Sequence, residues 1–421
     1  MCGIAGFCNF KEDFEENTDY WNFRLEKMRA VLAHRGNDAR GRYLKKHIGL
    51  SHSRLAIRDI LCGDQPMTRT HNGYEYTICY NGEIYNTDEL IPELSENGFV
   101  CSTTSDTEVI LYAYIHWGAD FVNRLNGIFA FAIWDAAKSR LLLYRDRVGV
   151  KPLFYAIRGD SLVFGSEPKA CFAHPAVKPE LDKQGLQELL AIGPAHTSGL
   201  SLFKDLFEVL PGHFMIYSRD GLHDETYWEL TSREHTESYR DTVAHTRFLV
   251  EDAIKRQMVS DVPVCTFLSG GIDSSIVTAI AANYMNTRGK TLNTFSFDFK
   301  DNDRYFKANA FQPERDLPYV NRMLEEYETA HSYLECDENS LFKALFAAVD
   351  AKDMPGMTDV DSSLLYFCSL VSRKNKVALT GECADEIFGG YPWFYREDLL
   401  SRDGFPWSAD MSVRTLFLKD S

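Results

Sequence analysis

Apolar and polar positions alternate over short intervals in roughly the first two hundred residues, and at helical spacing after that. CGIAGFC, HIGLSHSRLAI, GYEYTICYNGEIY, GIFAFAIWD, SRLLLYRDR, KPLFYAI and SLVFGS are aromatic and β-branched runs bounded by Gly, Asn, Asp and Pro, the pattern of strands joined by turns. Helical periodicity in this part occurs only near 20–33, 87–97, 106–117 and 183–191. Hairpin-like strands with segregated helices predict antiparallel sheets packed in layers. After the strand-and-turn segment EVLPGHFMIYSRDG the rhythm changes, and from about residue 236 helix and strand alternate. The expected order is a helix at SYRDTVAHTRFLVEDAIKRQM, a strand at VPVCTFL, a helix from Asp273, a strand at LNTFSFDF, a helix near 315–328 and a strand at HSYLEC. Helices near 338–350 and 361–373 then precede a strand at KVALT. Such alternation predicts a doubly wound parallel sheet with ligands at the strand C-termini. The boundary is expected near 215–235, giving domains of 1–225 and 226–421.

Composition narrows the function classes. A chain of 421 residues, 45% hydrophobic and 13% aromatic, has the material for two or three cored domains. With 45 Lys and Arg against 61 Asp and Glu its net charge is −16, so its general surface repels phosphate backbones. No polymeric nucleic acid is expected as a partner, and any nucleotide must be held locally. Ten cysteines are scattered without a C-x-x-C pair, which argues against structural zinc and a disulfide scaffold. The N-terminus turns acidic at KEDFEENTDY, and no apolar run reaches the length of a membrane helix. The expectation is a cytoplasmic protein with no signal peptide and no membrane partner.

Two strings in the second half carry chemistry. In VPVCTFLSGGIDSSIVTAI an apolar strand runs into Ser269, Gly270, Gly271, Ile272, Asp273, Ser274 and Ser275, then into an apolar helix. Glycines allow a ligand close to the backbone, and hydroxyls and helix N–H groups converge on one point, which suits an anion. The Lys of a P-loop is missing, and at Gly289-Lys290-Thr291 the first Gly is replaced by Tyr284. Asp273 beside phosphate implies a bridging Mg²⁺. The plainer alternative is a turn with a Ser/Asp helix cap. The full string also matches the pyrophosphate loop of ATP pyrophosphatases, which split ATP between its α and β phosphates. In VALTGECADEIFGGY, Gly381, Glu382, Asp385 and Glu386 follow the last expected strand. An acidic cluster there is either a solvated face or, beside a phosphate loop, a metal and general-base site.

In the first half, Met1-Cys2-Gly3 places a thiol next to the α-amine that removal of Met1 would expose, so nucleophile and base would share Cys2. The alternative for a lone Cys2 is a small core residue. Acyl transfer from an amino-acid amide needs oxyanion donors, a cation for the α-carboxylate and an anion for the α-ammonium. Asn81, Arg54 and Asp106 are of those types. Asn81-Gly82 also reads as a hairpin turn, and Ser105 or Asp106 as a helix cap.

The order MCGI, HSRL, NGEIYN, SDTE, SGGIDSS and GECADEIFGGY resembles the glutamine-dependent asparagine synthetase family, from Cys2 to about Tyr395. The resemblance implies an N-terminal class II glutamine amidotransferase domain, a four-layer αββα sandwich of the N-terminal-nucleophile type, and an ATP-pyrophosphatase domain fed with ammonia through an apolar tunnel. It implies that Cys2 attacks the glutamine amide, Asn81 and Gly82 hold the oxyanion, and Arg54, Asn81, Glu83 and Asp106 bind glutamine. Ser269, Gly270, Gly271, Asp273, Ser274 and Ser275 would cradle ATP, with Leu268, Phe297 and Gly381 lining the nucleotide pocket and Asp273 and Asp385 reaching Mg²⁺. Glu382 would be the base for ammonia attack on adenylated aspartate, Asp361 is a candidate contact for aspartate, and a homodimer is a family expectation. Cys383 stands where the family has Gly or Ser. The synthetase domain is expected to be incomplete at its C-terminus, without the family's pyrophosphate-stabilising lysine. Glutaminase activity alone, or amidation or cyclisation of another carboxylate, are the alternatives to asparagine synthesis.

Overall fold

A computed structural model describes residues 1–193, 195–308, 314–401, 403 and 412–416. The chain divides into two compact units, Met1–Thr236 with Asp350–Pro355, and Glu237–Val349 with Gly356–Ser421.

The first unit contains twelve strands among its described residues: β1 (Gly3–Asn9), β2 (Ala39–Lys45), β3 (Ile48–Arg54), β4 (Met67–His71), β5 (Tyr74–Ile84), β6 (Gly127–Asp135), β7 (Arg140–Arg145), β8 (Phe154–Arg158), β9 (Ser161–Gly165), β10 (Phe207–Glu208), β11 (His213–Ser218) and β12 (Gly221–Thr226). They form two antiparallel sheets, ordered β10-β8-β9-β1-β3-β2 and β12-β11-β7-β6-β5-β4. Helix α1 (Thr18–Ala30) packs Trp21, Leu25 and Met28 with Ala5 and Phe7 on the outer face of the first sheet. Helices α2 (Thr87–Glu96) and α3 (Asp106–Trp117) set Leu90, Leu94, Val109 and Ile110 against Ile78, Tyr80 and Phe131 on the outer face of the second. Between the sheets lie Ile4, Cys8, Ile48, Leu50, Cys79, Ala130, Leu141 and Leu143. Three core layers separated by two sheets make the αββα sandwich. Alternation of side chains produces it: successive residues of β1, β3 and β5 feed the inner core and an outer core in turn.

The NGEIYN string differs from its reading as a turn. Asn81 and Gly82 are interior residues of β5, opposite Ala130 and Phe129 of β6. A Cβ at Gly82 would lie 2.3 Å from the Ile128 carbonyl oxygen, so the glycine answers to the approach of the neighbouring strand.

In the second unit, β13 (Val264–Phe267), β14 (Leu292–Phe299), β15 (Thr329–Cys336) and β16 (Val377–Leu379) form a parallel sheet ordered β15-β14-β13-β16. The helix Ile272–Asn286 buries Ala281 and Ala282 against Val264 and Leu292 on one face, and the helix Thr358–Val371 buries Phe367 and Val371 against Cys265 and Phe295 on the other. The sheet is therefore covered on both sides, as a doubly wound fold requires. From β13 the chain proceeds outward to β14 and β15, then crosses back to place β16 on the other side of β13. The crevice at the carboxyl ends of β13 and β16 is thus the topological switch point.

Candidate active sites

Strand alternation brings the N-terminal residues together. Ile4 on β1, Ile48 and Leu50 on β3, and Cys79 on β5 all face the layer between the sheets. Residues an even number of positions away face it too, namely Cys2, His52, Arg54, Asn81 and Glu83. Two contacts pin β3 to β5 across the layer, the Cys79 thiol donating to the Ser51 carbonyl at 3.2 Å and His52 Nε2 to the Tyr80 carbonyl at 3.1 Å. At the rim of this layer a small cleft, about 30 Å³ in volume, is lined by Cys2, Arg54, Arg58, Gly82, Glu83 and Asp106 among others.

Each lining group has a definite electrostatic setting. The Cys2 Sγ accepts from the Leu55 N–H at 3.4 Å and donates to the Leu55 carbonyl at 3.6 Å. Burial pushes its thiol up, and nearby Glu83 adds to that, while the Leu55 backbone, the α-amine and Arg54 oppose it. The Met1 α-amine is held down to about 5, chiefly by burial, with the Arg35 and Lys151 cations acting in the same sense. Arg54 is buried, and its guanidinium donates to Ile60 O at 3.0 Å, Arg58 O at 3.3 Å, Asp59 O at 2.5 Å and Asp64 Oδ1 at 2.9 Å. The Asp64 carboxylate is 74% exposed, so Arg54 is a fixed cation holding a replaceable anion. Asp106 opens α3 behind Ser105, whose side chain caps the helix. Its Oδ2 accepts from Tyr80 Oη at 2.8 Å and from the Ile84 N–H at 3.0 Å, and burial pushes the carboxyl up against the pull of Arg58.

Asn81 lies outside the cavity wall, 1% exposed, one residue before Gly82, which is part of it. Among the described residues its Nδ2 has no hydrogen-bond partner. An unmet buried donor costs about 1–3 kcal/mol, so Asn81 Nδ2 is a donor open to a ligand, a reacting atom or water. Sequence reasoning missed Arg58 and Lys151. Arg58 bridges Ile84 O and Thr87 Oγ1 at 2.9 and 3.2 Å, and both cations look like surface residues until long-range packing half-buries Arg58 and buries Lys151.

His52 is fully buried and held down to about 4 by burial, and His174, against Trp21 and Phe7, is held down to about 4 for the same reason. Between pH 6.5 and 4 the unfolded chain takes up protons that these two folded imidazoles refuse, so stability is lost as pH falls through that window. Each contributes a slope of up to about 1.4 kcal/mol per pH unit. His52→Gln is expected to remove one of the two contributions from urea titrations at pH 6.5, 5.5 and 4.5. An undiminished slope would refute the assignment.

In the second unit the two chemical strings meet at the switch point. Gly270 sits at φ +85°, a left-handed conformation that glycine adopts without strain, and a Cβ there would lie 2.8 Å from Tyr319 Cβ. Ser269 Oγ and Ser274 Oγ are 2.9 Å apart, and Ser269 Oγ accepts from the Gly271 N–H at 3.3 Å. The helix Ile272–Asn286 begins directly behind them, with Asp273 in its first turn and Ser275 one residue past Ser274. Gly381 abuts this turn so closely that a Cβ on it would lie 2.8 Å from both Asp273 Cβ and the Ser274 nitrogen. Asp273 is pushed up by burial and by the neighbouring Asp385 charge. Two carboxylates in mutual repulsion beside the Ser269–Ser275 turn are of the type that takes a divalent cation, although no cluster of three or more such ligands forms among the described residues. Leu268 is buried, its N–H on Phe295 O at 2.8 Å, and Phe297 packs on Phe367 with ring centroids 5.2 Å apart. Glu382 is exposed, and Asp361 accepts the Met357 N–H at 2.7 Å at the start of its own helix. Cys383 adopts φ +69°, the conformation that favours glycine and costs other residues about 1–2 kcal/mol.

Because Gly381 meets backbone atoms, Gly381→Val is expected to displace the Ser269–Ser275 turn. AMP release should fall by about 10²-fold, a typical cost of misplacement near 1 Å, with glutamine hydrolysis by the same preparation unchanged.

Comparison with known proteins agrees with this geometry. Residues 1–228 match the glutamine amidotransferase domain family, and residues 245–420 match the asparagine synthase family. Over its full length the chain is 48% identical to asparagine synthetase [glutamine-hydrolyzing] 3 of Bacillus subtilis (strain 168), of which it covers 68%. The chain belongs to the glutamine-hydrolysing asparagine synthetase family. It is also 32% identical to asparagine synthetase [glutamine-hydrolyzing] 1 of the same organism, matching 95% of this chain and 60% of that one. Amidase chyE of Penicillium rubens is 32% identical over 97% of this chain and 62% of its own. As a glutamine-hydrolysing asparagine synthetase family member, an ATP-dependent ligase by class, the chain carries both domain types of glutamine-dependent asparagine synthesis. Among its described residues no helix is long and apolar enough to cross a membrane.

Proposed function

We propose that the chain hydrolyses glutamine at Cys2 and uses the ammonia to convert aspartate to asparagine at the expense of ATP, cleaved to AMP and pyrophosphate. The observation that carries this reading is the pairing, in one chain, of a Cys2-lined cavity with a glycine-and-serine loop abutted by Gly381. Glutamine would enter the cavity with its α-carboxylate displacing Asp64 from Arg54, and with its α-ammonium directed to Asp106 and Glu83. As the Cys2 sulfur bonds the amide carbon, its proton passes to the Cys2 α-amine freed by loss of Met1. The oxyanion would be held by Asn81 Nδ2 and the Gly82 N–H, ammonia would leave, and water would release glutamate from the thioester.

In the second unit, Ser269, Gly270, Gly271, Ser274, Ser275 and the helix N–H groups would hold the ATP phosphates, with Leu268, Phe297 and Gly381 about the nucleotide. Asp273 and Asp385 would hold Mg²⁺, which when bound supplies positive charge to the phosphates. Glu382 would be the base for ammonia attack on the aspartyl adenylate. All ten cysteines are unpaired thiols, in keeping with a reducing, cytoplasmic setting.

The test is a mass balance with glutamine, aspartate and ATP. Glutamate, AMP, pyrophosphate and asparagine are expected in equal amounts. Glutamate formation without AMP would reduce the reading to a glutaminase. The chyE resemblance makes a panel of other carboxylic acids the second arm, and AMP release with one of them but not with aspartate would replace the acceptor.

A further inference from the structure

Lys151 stands in the loop after β7 and is only 9% exposed, yet among the described residues it makes no ion pair. Its ammonium rests on Met1 Sδ at 3.2 Å. The nearest acid in sequence is committed elsewhere, since the Asp146 carboxylate accepts the backbone N–H groups of Phe129, Val148, Val150 and Lys151 itself. A buried cation without a contact counter-ion is costly to keep: burial, with Arg35, pulls the Lys151 ammonium below the usual lysine value, and the Asp146, Glu83 and Cys2 charges oppose this. Loss of Met1 would take away this contact, which lies one residue before the new N-terminus at Cys2.

The charged groups around that terminus come from every neighbouring element. Arg35 donates from Nε to Cys2 O at 2.9 Å, but its charge is matched by Glu167 at 2.6 Å. Asp38 takes the Ala56 N–H at 2.8 Å. Arg54 is paired with Asp64, and Glu83 and the Cys2 thiol complete the set. Lys151 is therefore the cation in this group whose field no partner carboxylate cancels at contact distance.

We propose that Lys151 is a positioning residue for the proton, its ammonium keeping the Cys2 α-amine unprotonated at neutral pH so that the amine can accept the thiol proton. This rests on the reading of Cys2 as the glutamine nucleophile. Lys151 exchanges no proton in the step. The thiol proton moves to the α-amine as the sulfur–carbon bond forms, and from there to the departing ammonia. A neighbouring positive charge disfavours the protonated amine, so removing it makes the amine more basic and leaves it blocked by a proton at higher pH.

The experiment is the pH profile of kcat/KM for glutamine hydrolysis in the wild type, Lys151→Met and Lys151→Arg, with loss of Met1 verified by mass spectrometry in each. The acidic limb of Lys151→Met is expected to move up by about one unit, a tenfold loss below the limb with recovery above it, and Lys151→Arg should restore the wild-type limb. A uniform loss at all pH values with the limb unmoved, or a limb that moves down, overturns the proposal. Should Lys151→Met not fold, Lys151→Gln gives the same comparison. A wild type with Met1 removed that hydrolyses no glutamine would overturn the nucleophile assignment itself, a result distinct from an unmoved limb.

Discussion

Cys2→Ala is expected to cut glutamine-dependent turnover by more than about 10⁴-fold, in line with the loss seen when a covalent nucleophile is removed, and to leave ammonia-dependent turnover within about twofold of wild type. The asymmetry follows from the division of the chain. Cys2, Arg54, Glu83 and Asp106 line a cavity within the first unit, whereas Ser269–Ser275 and Gly381 meet in the second. Alanine lacks only the sulfur, and the residue is half-buried at the start of β1, so folding should be little affected. Asparagine formation with glutamine, then with an ammonium salt, on the same preparation measures both rates. Loss of the ammonia-driven rate as well would show that the two chemistries share a site.

How much of this could be read from the chain depends on what each residue contacts. The inner strands β1, β3, β5 and β6 are buried on both faces or nearly so, and their apolar runs announce them. β2 and β4 close one edge of each sheet, carry the polar sequences ARGRYLK and MTRTH, and were absent from the expected strands because edge positions tolerate charge. Asn81-Gly82 looks like a turn locally and becomes strand because β6, more than forty residues on, pairs along it. Cys2, Arg54 and Asp106 could be named as candidates from residue type and motif order, against the plainer core-residue and helix-cap readings, and the structure gathers all three around one cavity. Arg58 and Lys151 could not be so named, since nothing in a loop sequence tells that one cation will reach Ile84 and Thr87 or that the other will be buried on Met1. In the second unit the meeting of Gly381 with Asp273 is set by the β13–β16 pairing across 113 residues, which the alternation of elements implied only in outline.

Asn81 gives the sharpest separation between a catalytic and a structural role, because its side chain is buried with an unmet donor. A paired Asn81 Nδ2 would make Asn81→Ala destabilise the protein by the loss of that bond. Being unpaired, it already costs about 1–3 kcal/mol in the free protein, and removing it offsets the small cavity left behind. Asn81→Ala is thus expected to keep stability within about 0.5 kcal/mol of wild type, or to raise it, by urea titration. At the same time kcat for glutamine hydrolysis should fall by about 10²–10³-fold, equivalent to about 2.7–4 kcal/mol, the effect of deleting one oxyanion donor. KM should change little, because the donor acts on charge that develops only as the Cys2 sulfur adds to the carbonyl. A variant that is markedly less stable yet turns over glutamine normally would reverse the assignment, making the amide a packing element of β5 and leaving the oxyanion to the Gly82 N–H alone.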